Sequence, residues 1–402
     1  MGDDFQQTEA RGLPIFRYED PANLPPIGLD DIVASNVQSG IVLEVPGQDR
    51  KFLRYAPEFI DDPDSIGIFH GLGAAIYTYP PCFVAAVSQA AVIGYRTILN
   101  KNSFFNDELY RPNADQFLRK LRNSDPFPNE DTALRWIDGA NHFVLENPDR
   151  PRLHISGNVV VLCTTEPSNF GSFIFRVMPK ILTLKKMALL DLQCLVYAKH
   201  PQTRELLELG GIRSDLVIHH ETHRMTTLDR AIIPSHRNPH ALLDHESRDF
   251  FRKLRLQFGS SIAGRRIYVS RAGIANRTTA NRPMLNEHDL IKALELEGFE
   301  TINPDRMTAR EQIMAFSSAD IIVGPSGAAM FNAAFCSPGT KLIDIESEPN
   351  WIYAHAGFFA SCELRYGIFV GKVDKTDERA VHRRWAVNIP ALVNRVRAFI
   401  NS

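Results

Sequence analysis

The sequence of 402 residues has no long apolar run and no excess of charge of one sign. Its longest apolar stretch, "CFVAAVSQAAVIGY", is too short and too polar to cross a bilayer. The formal net charge of −2 excludes the global basic field with which many proteins attract nucleic acid. We therefore expect no transmembrane segment and no nucleic-acid partner, while peripheral membrane contact stays open.

Cysteine is also scarce, and none of the five cysteines forms a C-x-x-C pair. Buried free thiols are the simplest interpretation, and the odd number fits a reducing compartment. The first residues, "MGDDFQQTEARGLP", are acidic and polar, unlike a secretory signal peptide. These features together predict a cytoplasmic protein.

Strand and helix patterns alternate from Asn158 onwards. The runs "NVVVLC", "CLVYA" and "DLVIHH" predict buried strands, and "NFGSFIFRVMPKILTLKKMALL" and "PQTRELLELGG" predict helices between them, the first kinked near Pro179. Such alternation is typical of parallel strands with crossover helices. A break at "IIPSHRNPH" precedes a second alternating set, so we predict an α/β fold with two tandem Rossmann-like domains and a cleft between them.

One turn of the second set is free of charged side chains. In "DIIVGPSGAAMFNAAF", residues Gly324–Gly327 join a predicted strand to a predicted helix. The first amides of a helix have no intrahelical partner and carry partial positive charge, so a small-residue turn there can bind an anion through its backbone. The alternative is a tight turn that needs glycine for packing alone.

A second loop of the same set is rich in arginine. The stretch "YVSRAGIANRTTANRPMLNE" places Arg271, Arg277 and Arg282 after a predicted strand. Guanidinium groups offer forked donors that suit a diphosphate, whereas the alternative is a solvated basic loop. The pattern also predicts Asn286 as the N-cap of the next helix, with Glu287 in its first turn. No histidine or cysteine spacing matches a standard metal site, and we expect no metal.

These motifs resemble those of glycosyltransferase family 61. The likeness is strongest in "SR…NR…NE" and in "AREQIMAFSSADIIVGPSGAAMFNAAFCSPGTKLIDIE", and it extends through "NFGSFIFRVMPKI" back to "YPPCFVAAVSQAAVIGYRTIL". It implies an inverting enzyme of GT-B architecture that uses a nucleotide-sugar as donor substrate, needs no cofactor and transfers the sugar to a glycan or other hydroxyl acceptor. Because the arginines and the helix start could stabilise the departing diphosphate without metal, we expect the enzyme to be metal-independent. The likeness further implies a role in surface or capsular polysaccharide synthesis.

The resemblance also assigns domains and site residues. The domains would be residues 1–238 on the acceptor side, residues 239–385 for the nucleotide-sugar, and a C-terminal helix in 386–402 that packs back across the cleft. Glu346 would bind the ribose, and the alternative is a surface acid at the end of a strand. The other implied donor-binding residues are Arg271, Arg277, Asn286, Glu287, Gly324, Ser326, Gly327 and Asn332.

The chain departs from the family pattern at three positions. Ser326 and Ser172 stand where the family usually has histidine, and Arg176 stands where it has an acid. A hydroxyl cannot take a proton at neutral pH as imidazole can. We predict Glu166, in the loop "TTEPSN", as the catalytic base facing the cleft, with His70 as the second choice; a structural role stays open for both. Two other functions also stay open: a non-catalytic nucleotide-sugar or glycan-binding protein, and a sugar-nucleotide epimerase.

Overall fold

The computed structural model of the protein describes most of the chain. The described residues are 15–19, 23–34, 39–43, 51–61, 72–79, 82–107, 133–137, 142–238, 241–272, 282–347, 352–379 and 382–402. They divide into two compact units, each built from separate segments of the chain. Unit 1 falls within Met1–Arg50, Tyr79–His200 and Gly210–Arg237, and unit 2 within Lys51–Thr78, Pro201–Leu209 and Asn238–Ser402. The predicted domain boundaries stay predictions.

Strands and helices are numbered here in chain order. The strands are β1 (Ile15–Tyr18), β2 (Gly40–Leu43), β3 (Lys51–Arg54), β4 (Ile60–Asp61), β5 (Ala75–Thr78), β6 (Phe83–Ile93), β7 (Thr97–Asn100), β8 (Ser103–Phe105), β9 (Leu134–Ile137), β10 (His142–Leu145), β11 (Arg152–Val161), β12 (Gln193–Val196), β13 (Val217–His219), β14 (Met225–Pro234), β15 (Arg265–Val269), β16 (Glu300–Ile302), β17 (Ala319–Pro325), β18 (Lys341–Glu346), β19 (Arg365–Val370), β20 (Lys372–Val373) and β21 (Trp385–Ala386). The helices are α1 (Phe170–Ser172), α2 (Met178–Lys186), α3 (Pro201–Gly210), α4 (His245–Phe258), α5 (Glu287–Glu295), α6 (Ala309–Ser317), α7 (Ile352–Ser361) and α8 (Ile389–Ile400).

Unit 1 is built on one mixed sheet. Its strand order is β13-β12-β11-β14-β6-β7-β8-β1-β10-β9, with β2 also paired to β6. The strands β13, β12, β11 and β14 are parallel, but β14, β6, β7 and β8 pair antiparallel. The connections from β6 to β7 and from β7 to β8 are too short for a crossover, so only antiparallel neighbours can form there. The α/β class is thus confirmed, while the tandem Rossmann-like, GT-B arrangement stays a prediction.

The helical segment after β11 begins with a side-chain cap and changes its hydrogen-bond pattern before Pro179. Asn169 Oδ1 accepts hydrogen bonds from the amides of Gly171 and Ser172 at the start of α1. A π-helical turn, Phe173–Val177, then leads into α2, where Pro179 lies in the first turn. Proline has no amide hydrogen to donate, so it fits the first turn of a helix better than its interior.

Unit 2 is built on a parallel sheet with the strand order β16-β15-β17-β18-β19-β4. Its central strands are apolar on both faces, and side chains such as Tyr268, Val323 and Ile343 are fully buried. The chain runs outward from β15 to β16 on one side, and outward from β17 to β19 on the other. The order therefore reverses between β15 and β17, which is the topological switch point where open α/β sheets bind ligands.

The predicted N-termini of α5 and α6 are both confirmed, but only α6 has the side-chain cap that the sequence indicates. Thr308 and Glu311 form the predicted capping box of α6. Asn286 occupies the N-cap position of α5, yet its side chain makes no cap hydrogen bond; it donates to the Val387 carbonyl at 2.8 Å and accepts from the Val387 amide at 3.1 Å. A distant backbone segment has therefore replaced the local partner. No helix in the described ranges has the length and apolarity to cross a membrane.

Candidate functional site

Two loops of unit 2 meet at the switch point. Ser270 and Arg271 follow β15, and the Gly324–Gly327 turn ends β17. Because β15 and β17 are adjacent and parallel, both loops lie at the carboxyl edge of the sheet. A cavity of ≈ 210 Å³ opens beside them. The residues that line it are Arg271, Ala272, Arg282, Pro283, Met284, Leu285, Glu287, His288, Pro325 and Trp385.

Two arginines of this cavity converge on the turn. Arg271 Nη1 and Arg282 Nη2 both donate to the carbonyl oxygen of Ser326, the second at 2.9 Å. The Ser326 amide donates to the carbonyl of Ile345 at 2.9 Å, which fixes the turn against β18. Burial lowers the pKa of Arg271 to about 10, with a further contribution from the charge of Arg282. Both guanidinium groups are therefore held beside the turn, and that of Arg271 is charged at neutral pH.

Glu287 orients the arginine loop from the start of α5. Its Oε1 accepts hydrogen bonds from the Tyr268 hydroxyl at 3.2 Å, the Ser270 hydroxyl at 2.9 Å and the Arg271 amide at 2.8 Å. Burial, followed by the charge of Glu287, raises the pKa of Tyr268 well above its usual value. Three protein donors thus occupy one carboxylate oxygen of Glu287, which gives this residue a positioning role for the backbone at Arg271.

The two glycines of the turn serve close packing. A Cβ atom at Gly327 would lie 2.3 Å from Arg271 Nη1, and one at Gly324 would lie 2.9 Å from Val269 Cβ. The φ of Gly327 is 165°, an extended value that any residue adopts, so its backbone is not strained. Glycine at 327 therefore leaves space for the guanidinium, and glycine at 324 lets β15 approach β17.

We expect Gly327→Ala to displace the Arg271 side chain from the Ser326 carbonyl. The added methyl group overlaps a guanidinium nitrogen, and the arginine side chain can move away at lower cost than the backbone. Binding of inorganic pyrophosphate, measured by isothermal titration calorimetry, should weaken about tenfold, the size expected for losing one charge-assisted hydrogen bond. Gly73→Ala, at an exposed position with open space around its Cβ and no positive φ, is the matched control. If Gly327→Ala and wild type bind pyrophosphate with equal affinity, Gly327 is not needed to position Arg271 for binding.

The segment after the turn is a 3-10 helix, Ala328–Phe335, where the sequence predicts an α-helix. The Met330 amide donates to the Gly327 carbonyl at 3.0 Å, the i→i−3 spacing of a 3-10 helix. The amides before Met330 in the segment have no intrahelical partner. Asn332 is fully buried, and its Nδ2 donates to Gln312 Oε1 at 2.7 Å and to the Ala329 carbonyl at 3.0 Å. These contacts are structural, and donor binding by Asn332 stays a prediction.

A buried polar cluster lies behind the turn, and we call Ser326, Asp344, Glu346 and His355 the inner cluster. His355 Nδ1 lies 2.9 Å from Asp344 Oδ2 and 3.3 Å from Ser326 Oγ. Sequence reasoning missed Asp344 and His355. The available signal was the alternation of two acids in "KLIDIE", because residues two apart on a strand share one face and acids are rare inside a sheet.

Glu346 has the fewest hydrogen-bond partners of the inner cluster. It is 0% exposed, neither of its carboxylate oxygens accepts a hydrogen bond within the described residues, and the nearest ion-pair partner is Arg282 Nη1 at 3.9 Å. Burial and the charge of Asp344 raise the pKa of Glu346 to about 7, against the opposing effects of His355, Arg282 and the Ser326 hydroxyl. Burial lowers the pKa of His355, but the adjacent Asp344 outweighs it and the net direction is upward.

The inner cluster bears on two predictions. Possible ligand atoms of Asp344, Glu346 and His355 lie within 4.8 Å of one another. We interpret them as an ion-pair network, because His355 is hydrogen-bonded to Asp344 and the guanidinium of Arg282 faces Glu346. The expectation of no metal stays a prediction. Glu346 lies behind the cavity rather than on its wall, so ribose binding by Glu346 also stays a prediction.

The predicted base, Glu166, lies in unit 1 in the loop after β11. Its φ of 47° is uncommon for a residue other than glycine. Its Oε2 accepts a hydrogen bond from the Ser172 hydroxyl at 3.0 Å, and its carbonyl accepts one from the Asn169 amide at 2.8 Å. The guanidinium of Arg176 stacks over the Phe175 ring at 5.0 Å. The loop is thus held by the helix that follows it.

A buried ion network lies close to this loop in unit 1. Asp107 binds Arg96 Nη1 at 2.8 Å and Lys180 Nζ at 2.6 Å, and Lys180 also donates to the Cys163 carbonyl at 3.1 Å. Burial acts to raise the pKa of Asp107, but the two cations outweigh it and hold that pKa well below its usual range. This network ties α2 to the carboxyl end of β11.

Apart from Glu166 in unit 1, the predicted site residues fall into three groups. Arg271, Glu287 and the Gly324–Gly327 turn are brought together, as is Arg282, which the sequence placed in the same loop. Asn286, Asn332 and Glu346 are engaged in contacts inside unit 2 or buried in it. His70 and Arg277 lie outside the described residues.

Comparison with known proteins gives one family. A comparison with curated proteins found no significant match. A family model described as glycosyltransferase 61 matches residues 170–343. The matched range includes the Ser172 and Arg176 positions, the arginine loop and the Gly324–Gly327 turn, but it ends before Glu346. The resemblance predicted from the sequence is therefore confirmed, and the match suggests that this chain is a glycosyltransferase similar to those of family 61.

Proposed function

We propose that this protein is an inverting, metal-independent glycosyltransferase that moves a sugar from a nucleotide-sugar to a glycan or other hydroxyl acceptor. Surface or capsular polysaccharide synthesis, a cytoplasmic location and a tandem Rossmann-like (GT-B) architecture are parts of the same proposal. The observation that carries it is the convergence of Arg271 and Arg282 on the Ser326 carbonyl, beside a cavity at the switch point of unit 2.

The arrangement suits stabilisation of a departing diphosphate. In an inverting transfer, the acceptor oxygen bonds to the anomeric carbon as the bond from that carbon to the diphosphate oxygen breaks. Negative charge then develops on the diphosphate. The two guanidinium groups of Arg271 and Arg282 place positive charge beside the turn before the reaction starts.

The proposal assigns the proton of the acceptor hydroxyl to Glu166. The Ser172 hydroxyl donates to Oε2 of Glu166, which orients the carboxylate and leaves Oε1 as an acceptor. We expect Glu166→Gln to lower the rate of transfer by a factor of about 100 to 10,000, the range for removal of a general base, while donor affinity is unchanged. Glu146→Gln, an exposed glutamate of unit 1, is the matched control. A transfer rate for Glu166→Gln equal to wild type would exclude Glu166 as the base.

The proposal is tested with the purified full-length chain and a panel of nucleoside diphosphates and nucleotide-sugars. Calorimetry should show binding of at least one nucleoside diphosphate, and binding and turnover should be unaffected by EDTA. Release of nucleoside diphosphate from the matching nucleotide-sugar, alone or with acceptor glycans, measures turnover. Absence of binding to every nucleoside diphosphate would contradict the proposal.

A non-catalytic binding protein is the second candidate, and the position of Ser326 favours it. The Ser326 side chain faces buried His355, and it is not among the groups that line the cavity. A binding protein would show affinity for the nucleoside diphosphate without turnover of any nucleotide-sugar, so the same panel separates the two functions.

A further inference from the structure

The arginines of the cavity also face a buried carboxylate on their other side. Arg282 lies 3.9 Å from Glu346, and the charge of Glu346 also acts on Arg271. Arg282 Nη2 meanwhile binds the Ser326 carbonyl at the cavity. The same guanidinium groups are therefore available to an anion in the cavity and serve as counter-ions for Glu346.

The charged groups around Glu346 come from four parts of unit 2. Asp344 on β18 repels its negative charge; His355 on α7, Arg282 before α5 and Arg271 after β15 attract it. The three attracting groups are already engaged elsewhere, because His355 is hydrogen-bonded to Asp344, and Arg271 and Arg282 are hydrogen-bonded to the Ser326 carbonyl. Among these groups, Glu346 alone combines full burial with two carboxylate oxygens that have no hydrogen-bond partner in the described residues, although the Ser326 hydroxyl lies near enough to lower its pKa.

An anion in the cavity changes the balance at Glu346. A bound diphosphate neutralises the field of Arg271 and Arg282 and adds its own negative charge beside the turn. If Glu346 is ionised, its buried negative charge is then no longer balanced by the guanidinium groups. A protonated Glu346 is neutral and needs no counter-ion. We propose that binding of a diphosphate in this cavity is coupled to the uptake of one proton by Glu346, an inference that rests on the diphosphate site of the proposed function.

The direction of the pH dependence follows from this coupling. The only bond formed is the O–H bond of Glu346, and in a binding experiment the proton comes from the buffer. The bound state holds the proton more tightly than the free state, so affinity is highest below the pKa of free Glu346, near 7. Above that pH, affinity falls by up to about tenfold per pH unit, the limit for one proton, until the pKa of the bound state is reached.

The test compares wild type with Glu346→Gln, which mimics the protonated carboxyl. Calorimetry with inorganic pyrophosphate is run at about pH 6, 7 and 8, which bracket the Glu346 pKa of about 7. The ligand's own titration cancels in the affinity ratio of the two proteins. We expect Glu346→Gln to bind pyrophosphate about tenfold tighter than wild type at the highest pH and about equally at the lowest. Two buffers of different ionisation enthalpy should reveal greater proton uptake by wild type than by Glu346→Gln at the highest pH.

Each other outcome decides between the proposals. A pyrophosphate affinity ratio that does not change with pH, or equal proton uptake by both proteins, would overturn the coupling and leave the diphosphate site intact. If Glu346→Gln loses affinity for nucleoside diphosphates but not for pyrophosphate, Glu346 contacts the ribose and the coupling is overturned. Failure of wild type to bind pyrophosphate or any nucleoside diphosphate at all three pH values would overturn the proposed function itself, and the coupling with it.

Discussion

Asp107→Asn should lower the free energy of unfolding of unit 1 by about 3–5 kcal/mol, the typical cost of breaking a buried ion pair from one side. The aspartate is the shared partner of Arg96 and Lys180, and all three side chains are buried. Asparagine preserves the shape but removes the charge, so two cations stay in the interior with no carboxylate between them. A change of this size is a large fraction of the stability of an ordinary domain.

Hydrogen exchange by mass spectrometry measures this loss within each unit. Amides of β11 and β14 should exchange faster in Asp107→Asn than in wild type. Amides of β17 and β18 serve as the internal reference, because they belong to the sheet of unit 2. Asp149→Asn, at an exposed position of unit 1, is the matched control. If the β11 amides are as well protected from exchange in Asp107→Asn as in Asp149→Asn, the ion network contributes little to stability.

The same network predicts the acid sensitivity of unit 1. Because Arg96 and Lys180 hold the pKa of Asp107 below its usual range, the folded state favours the ionised form. The resulting stability is present above the usual aspartate pKa, near 4, and is lost as the pH falls towards the folded-state value. The loss of β11 protection caused by Asp107→Asn should therefore be largest at neutral pH and shrink in acid.

Arg282→Ala should weaken pyrophosphate and nucleoside diphosphate binding about 100-fold, within the 2–5 kcal/mol range for truncating one member of a buried charge pair. The variant removes a donor to the Ser326 carbonyl and the nearest cation to Glu346. Burial then favours the protonated, neutral form of Glu346, which limits the damage to the fold. The effect should therefore appear mainly in ligand affinity.

Two further variants separate charge from geometry at this position. Arg282→Lys keeps the charge but loses the forked donor, so it should recover only part of the affinity. Arg252→Ala removes an exposed arginine of α4 and is the control for net charge. Calorimetry and thermal unfolding are measured on each protein. Equal affinities of Arg282→Ala and Arg252→Ala would show that the diphosphate does not bind at the switch point.

Much of unit 2 was predictable because its signals are local. The apolar runs of β15, β17 and β18 and the capping box at Thr308 depend on spacings of two to four residues, which a sequence displays directly. The positions of the arginine loop and the glycine turn at one sheet edge follow from the parallel strand order. Unit 1 was less predictable, because its antiparallel strands need short turns whose pairing partners the hydrophobic pattern alone does not identify.

The sequence by itself determined the α/β class, the resemblance to glycosyltransferase family 61 and the turn and arginines that form the candidate site. Only the tertiary structure decided that Asn286 binds Val387, that His355 lies behind Ser326 and that Glu346 is buried away from the cavity wall. The physical reason is distance along the chain. Local periodicity specifies an element, but contacts between remote side chains, and the burial that shifts their pKa values, exist only after the strands have taken their order in the sheet.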